Sequence, residues 1–177
     1  MAVKPILQAG NDLLYKESEP LEPGSEEAKE LLQDLKDTLE DFMERKKLGR
    51  GISSPQISQL KQAVYIIEEG EHYAFVNPKI TWRSPEKMMV WDSCFCYDVD
   101  IFVLIERDRD IELEYYTPEG EFKKEKFSGP LSELIQHETD HLKGVLSYQY
   151  LKPPIRIMRR NEWEAHDRPY IVEGWEQ

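Results

Sequence analysis

The stretch from Leu134 to Leu142, Leu-Ile-Gln-His-Glu-Thr-Asp-His-Leu, constrains the fold of this chain more than any other. His137 and His141 are four residues apart, so a helix places both imidazoles on one face, where they can bind a single cation. Glu138 lies about 100° around the helix from His137, within reach of a water molecule on that cation. Two ligands and a general base on one turn predict a metal-dependent hydrolytic site. The alternative is an exposed helix that carries two histidines by chance.

The pattern of apolar residues predicts a single α+β domain over residues 1–177. A helix is expected to begin at Ser25 and to end near Gly49, because apolar residues recur at helical spacing between them. Short segments rich in β-branched and aromatic residues follow, and they predict strands at 63–67, 73–76, 80–82, 88–91, 101–105, 111–116 and 122–127. The predicted fold is therefore an N-terminal helix, antiparallel strands in small sheets, and a central metal-binding helix.

Composition and charge exclude some classes of partner. The chain has 35 acidic and 23 basic residues, a net charge of −12, which disfavours a nucleic-acid backbone or an anionic membrane as the main partner. No stretch approaches the ~20 apolar residues of a membrane span, and no signal peptide is recognised, so a cytoplasmic protein is predicted. Arg156, Arg159 and Arg160 are interpreted as solvated surface, with docking on a large assembly as the alternative. The tail, 153–177, carries no recognised motif and is assigned no role.

Two histidines are too few for a tight metal site, so a third ligand is needed. Cys94 is the stronger candidate, because it lies in the strand-rich region between apolar runs and a thiolate is a good ligand for such metals, while Cys96 competes by residue type. A set of two histidines and one cysteine with an open fourth position indicates a catalytic metal rather than a structural one. On an extended strand only one of the two thiols would face the metal, and the spacing does not say which. His72 and His166 are interpreted as surface histidines, and an internal disulfide is not expected.

The segment from Gly49 to Gln56, Gly-Arg-Gly-Ile-Ser-Ser-Pro-Gln, predicts a tight turn or a close approach of the main chain. It lacks the Lys-Ser/Thr pair and the strand-loop-helix frame of a phosphate-binding loop. An ordinary glycine-rich connector is an equally good local interpretation.

Three motifs in a fixed order resemble those of the peptide deformylase family. The family carries Gly-x-Gly-Leu-Ala-Ala-Pro-Gln, Glu-Gly-Cys-Leu-Ser and His-Glu-x-x-His with Asp before the second His. The corresponding stretches here are 49–56, 92–96 and 137–141, and the resemblance extends from Ile6 to about Leu151. Each motif alone is weak, but three in order, with strands between them, are specific.

The resemblance implies a role for each matching residue. The metal ligands would be Cys94, His137 and His141. Glu138 would be the general acid and base, while the Gln56 side-chain amide and the Phe95 backbone N–H would stabilise the oxyanion. Substrate binding would involve Gly51, Ile52 and Gln56.

The resemblance also implies a reaction, a cofactor and partners. The enzyme would remove the N-formyl group from the initiator methionine of nascent peptides and release formate. It would use one divalent ion per chain, with Fe²⁺ expected in vivo and Zn²⁺, Ni²⁺ or Co²⁺ also accepted. Its partner would be an N-formylmethionyl peptide that pairs alongside a strand, with the methionine side chain in an apolar pocket. Transient association with the ribosome is also expected, whereas specific nucleic-acid or membrane binding is not.

Several residues depart from the family motifs. Asp92-Ser93 replaces Glu-Gly, Ser53-Ser54 replaces Ala-Ala, and Cys96 replaces the serine after the metal-binding cysteine. These changes leave two alternatives open: a metal hydrolase for another N-acyl or peptide substrate, and a non-catalytic binding protein stabilised by its metal. Retention of Glu138 and Gln56 counts against the second alternative, because a structural metal site needs neither.

Overall fold

The computed structural model describes residues 3–166 and 170–172, and its first long helix is the one that the sequence predicts. Helix α1 (Glu26–Lys46) begins at Ser25, whose Oγ accepts a hydrogen bond from the Ala28 N–H at 3.2 Å. The helix ends before Gly49, because Lys47 itself adopts the left-handed conformation at φ 57°. The apolar face of α1 packs on the strands that follow it.

The strands form two antiparallel sheets. The first contains β1 (Gly51–Ser53), β2 (Ala63–Glu68), β3 (Glu71–Arg83), β6 (Asp110–Tyr116) and β7 (Phe122–Ser128), in the order β1-β2-β3-β6-β7. The second contains β4 (Lys87–Ser93), β5 (Ile101–Asp108), β8 (Ile157–Arg159) and β9 (Ile171–Val172), in the order β8-β5-β4-β9.

The long strand β3 contains both of the segments, 73–76 and 80–82, that the sequence predicts as separate strands. Its register against β6 shifts between Val76 and Lys79, where Asn77 has a φ of 51°. The Asn77 side chain accepts a hydrogen bond from the Leu21 N–H and donates one to the Leu21 carbonyl, both at 2.8 Å. This irregularity explains the interruption in the apolar pattern.

Helix α2 (Gly129–His141) carries the two histidines and lies between the sheets. Its apolar side, with Leu134 and Ile135, packs against the first sheet. Its polar side meets β4 and β5 at Asp92 and Arg107. The predicted α+β fold with a central motif helix is confirmed, and α2 is held from both sides by sheets.

The described part of the C-terminal tail, to which the sequence assigns no role, packs on the second sheet. Strand β8 pairs with β5, and β9 pairs with β4. Helix α3 (Arg160–Ala165) lies between them, and its Trp163 is 1% exposed with its ring stacked on Phe102 at 4.3 Å. No helix among the described residues is long and apolar enough to cross a membrane.

Candidate active site

Helix α2 brings its two histidines together as the spacing predicts. Both side chains are buried, and the Nε2 atoms of His137 and His141 lie 3.2 Å apart. The His137 Nδ1 lies 2.8 Å from Asp92 Oδ1. A carboxylate that accepts the Nδ1 proton leaves Nε2 free to face the centre of the site, as in metal-ligating histidines generally.

Both cysteines face this centre, so the expectation that only one would do so is wrong. The Cys94 Sγ lies 3.2 Å from His141 Nε2. Residues i and i+2 of an extended strand share a face, so strand alternation gave no reason to separate the two thiols. Cys94 caps a short 3₁₀ helix (Phe95–Tyr97), and Cys96 in its turn lies at the same centre. The ligand atoms of Cys94, Cys96 and His141 all lie within 4.8 Å of one another. Both thiols are free and buried.

The donor atoms at this centre fit a divalent metal ion. Imidazole nitrogens and thiolates are the ligands of zinc and of late first-row metals such as nickel and cobalt. The His141 Nε2 is within 3.2 Å of a donor from each of the other two predicted ligands, Cys94 and His137. The three donors that lie within 4.8 Å of one another include Cys96 and not His137, so the geometry offers a fourth donor that the family motif lacks.

A buried charge network that the sequence did not predict supports the histidines. The Arg107 guanidinium lies 2.9 Å from Asp92 and also pairs with Asp140 on α2. Burial acts to raise the pKa of Asp92, but His137 and Arg107 outweigh it and hold that pKa well below its usual range. Asp92 therefore reaches both partners despite being one methylene shorter than the family glutamate. A carboxylate just before Cys94 was a usable signal, whereas nothing in the sequence marked Arg107.

Glu138 is placed beside the histidines and against β1. Its side chain is 2% exposed, and a Cβ atom added at Gly51 would lie 2.7 Å from Glu138 Oε1. The sequence predicts a close approach of the main chain in this glycine segment, and the structure shows it between Gly51 and the Glu138 side chain. Burial is the main cause that raises the pKa of Glu138 to about 7. Its Oε2 has no hydrogen-bond partner among the described residues.

Gln56 follows β1 in a 3₁₀ helix (Ser54–Ile57) that aims its amide into the site. Its Oε1 accepts hydrogen bonds from the Ser53 N–H at 2.7 Å and the Ser53 hydroxyl at 2.9 Å. These two bonds fix the amide, so its NH₂ group points towards the thiols, 3.6 Å from Cys94 Sγ and 3.7 Å from Cys96 Sγ.

The other two predicted residues, Phe95 and Ile52, have buried side chains. The Phe95 ring stacks on Phe42 of α1 at 4.1 Å. The Ile52 side chain is fully buried in the core between α1 and the first sheet. Phe95 borders the cleft, whereas the Ile52 side chain does not.

The cleft that opens from this centre is narrow and partly charged. It has a cavity volume of about 60 Å³ and is bordered by β1, the end of β4, helix α2 and the tail. Arg50 Nη2 lies 2.9 Å from Glu133 Oε2, and both residues line the cleft beside Leu134 and Trp91. The family resemblance implies an apolar pocket, whereas this cleft also contains the ion pair of Arg50 and Glu133.

A helix-borne pair of histidines, a thiol and a buried glutamate define a metal-dependent hydrolase of the His-Glu-x-x-His type. Comparison with known proteins gives the family. Residues 3–156 match the family model of polypeptide deformylases. Peptide deformylase 2 of Clostridium perfringens is 38% identical over 162 residues, covering 90% of this chain and all of that protein. The chain belongs to the peptide deformylase family, as its motifs indicated.

Solved structures agree with this assignment. The peptide deformylase of Thermotoga maritima superposes with a TM-score of 0.79 and 27% identity, covering 86% of this chain and all of that one. A Met-Ala-Ser-bound peptide deformylase from Acinetobacter baumannii superposes with a TM-score of 0.76 and 25% identity, covering 85% and 99%. The predicted hydrolase class and metal dependence are therefore confirmed at the level of the family.

Proposed function

We propose that this chain removes the N-formyl group from the initiator methionine of nascent peptides with the residues assembled at this centre. The observation that carries the proposal is the buried Glu138 carboxylate, one oxygen of which has no partner in the described part of the chain, beside the convergent donors of Cys94, His137 and His141. A purely structural metal site would have no use for a buried carboxylate oxygen without a hydrogen-bond partner among the described residues, because leaving it there costs stability.

The three ligand side chains would hold the metal ion. A divalent ion bound by Cys94, His137 and His141 would supply the Lewis acidity that makes water nucleophilic near neutral pH. Fe²⁺ is proposed as the ion in vivo, with Zn²⁺, Ni²⁺ and Co²⁺ as functional replacements, since imidazole and thiolate ligands accept them all.

Glu138 would move the protons of the reaction. Its carboxylate takes a proton from the attacking water and later donates it to the departing amine nitrogen, which leaves formate and a free N-terminus. A pKa of about 7 suits a group that must both accept and release a proton near neutral pH. The negative charge that develops on the formyl oxygen would be stabilised by the Gln56 NH₂ and the Phe95 backbone N–H.

The substrate is proposed to pair with β1 through Gly51 and Ile52. Strand β1 pairs with β2 alone among the described strands, so its other edge can accept a peptide main chain. Contacts of the tail with β4 and β5 support the proposal of one domain over residues 1–177. A cytoplasmic location, supported by two free cysteines, and transient contact with the ribosome complete the proposal.

The test is product identity. The protein, loaded anaerobically with Fe²⁺ or with Ni²⁺, is expected to release formate from formyl-Met-Ala-Ser and no acetate from acetyl-Met-Ala-Ser. Acetate without formate would support the alternative of another N-acyl substrate, which the charged cleft makes worth testing. A folded, metal-loaded protein that releases neither product would overturn the proposal.

A further inference from the structure

The outer edge of β4 is partly occupied by the chain's own C-terminal segment. Val172 lies opposite Met89, Ile171 lies opposite Val90, and the Trp91 N–H donates to the Tyr170 carbonyl at 2.8 Å. Because hydrogen-bonded pairs alternate in antiparallel strands, the next such pair after Trp91 and Tyr170 is Met89 with Val172. The segment Tyr170–Val172 therefore covers β4 as far as Trp91.

The same edge leads directly to the metal ligands. Beyond Trp91, β4 continues through Asp92 and Ser93 to Cys94. Trp91 and Ser93 border the cleft, and Gly51 of β1 borders it too. A peptide that lies in this cleft can pair with β1 and extend along β4, the main-chain mode in which a ligand adds a strand to a sheet. With Tyr170–Val172 in place, only the Asp92–Ser93 end of β4 is left for it.

The mouth of the cleft anchors this segment through Tyr170. The Arg50 guanidinium lies over the Tyr170 ring, 4.9 Å from its centroid. Arg50 is itself held by Glu133 at 2.9 Å and by Glu68 at 3.2 Å. On its other side, the Tyr170 ring lies 4.8 Å from that of the buried Trp163. A fixed guanidinium and a buried ring hold Tyr170 at the rim.

We propose that Tyr170–Val172 is a specificity element that limits how much of the peptide main chain the enzyme contacts. The first residues of a formylated peptide reach β1 and the end of β4. Residues further along find the β4 edge already paired and add little affinity. This inference rests on the proposed function, and it predicts an enzyme nearly indifferent to peptide length beyond about three residues.

The test compares a formylated tripeptide with a formylated hexapeptide on full-length variants. Val172→Pro removes the N–H that pairs with Met89, and Val172→Ile is the matched control that keeps it. Tyr170→Ala removes the ring contact with Arg50 but no backbone group. KM for the hexapeptide is expected to fall about fivefold to tenfold in Val172→Pro for each hydrogen bond gained with β4, while KM for the tripeptide changes little. The Val172→Ile control should match the parent with both peptides.

A second readout separates this inference from the proposed function. In the parent protein the Trp91 amide is expected to exchange slowly with solvent hydrogen, and Val172→Pro should make its exchange faster. A hexapeptide-to-tripeptide KM ratio that is the same in all variants would overturn the inference, and so would fast exchange at Trp91 in the parent. Absence of formate release from every peptide would overturn the proposed function instead, with the Trp91 exchange still deciding whether the segment occupies the edge.

Discussion

The buried centre and the cleft mouth both rely on charged side chains, but they are built differently. At the centre, Arg107 is enclosed by Asp92 and Asp140. Asp140 lies on α2 with both histidines, and Asp92 lies on β4, two residues before Cys94. At the mouth, Arg50 comes from the loop before β1, Glu133 from α2, and the covering Tyr170 from the tail. The centre is therefore held by the sheet and helix that define the fold, whereas the mouth depends on a late segment of the chain. The contrast implies that chemistry and peptide selection can be disrupted separately.

The largest expected effect is at the centre, on the choice between the two thiols. Cys94→Ala is predicted to lose both bound metal and turnover, because it removes one of the three proposed ligands. Cys96→Ala is the matched variant and is predicted to keep its metal. Metal content per chain, measured on both, checks this, and the reverse pattern would show that Cys96 is the ligand.

Removal of the central guanidinium should be nearly as damaging, but to the fold. Arg107→Ala leaves Asp92 and Asp140 buried without their cation, so a loss of about 3–5 kcal/mol in the free energy of unfolding is predicted. The control is Arg109→Ala. Arg109 lies 3.6 Å from Glu86, and both side chains are exposed, so the free energy of unfolding is expected to change by about 0–1 kcal/mol. Urea unfolding of the two variants makes the comparison, and equal midpoints would contradict the role given to the network.

Loss of an oxyanion donor should lower the rate without loss of metal. Gln56→Ala is predicted to lower kcat by about 10²–10³, because its amide is aimed at the site and held by Ser53. Metal content should stay that of the parent. A variant with parental kcat would remove Gln56 from the proposed machinery, and a parallel thermal melt shows whether the fold is intact.

The smallest effect is expected at the mouth, on KM. Burial raises the pKa of Glu133, although Arg50 acts to lower it. The charged form of this carboxylate is therefore disfavoured at its place beside the cleft. Glu133→Gln keeps the shape and should lower KM for formyl-Met-Ala-Ser by up to about tenfold, because a neutral amide is cheaper to desolvate. Glu68→Gln, which also touches Arg50 but is outside the cleft, serves as control. An increase in KM for Glu133→Gln would mean that the charge assists binding.

The same contrast explains what the sequence could predict. Helix α1, the main strands and the convergence of His137 with His141 follow from local periodicity and capping, which act within a few residues. The direction of Cys96 was predicted wrongly, because residues two apart on an extended chain lie on the same face and not on opposite faces. The Arg107 network and the contact of Tyr170 with Arg50 join residues that are far apart in sequence, and no local pattern encodes such contacts.

The measurement that tests the central claim most directly is formate release by Glu138→Ala, with metal content determined on the same sample. The carboxylate is proposed to move protons without being a ligand. The variant should therefore bind metal like the parent and lose about 10²–10⁴ in turnover of formyl-Met-Ala-Ser. A fully metal-loaded variant that turns over at nearly the parental rate would contradict the account.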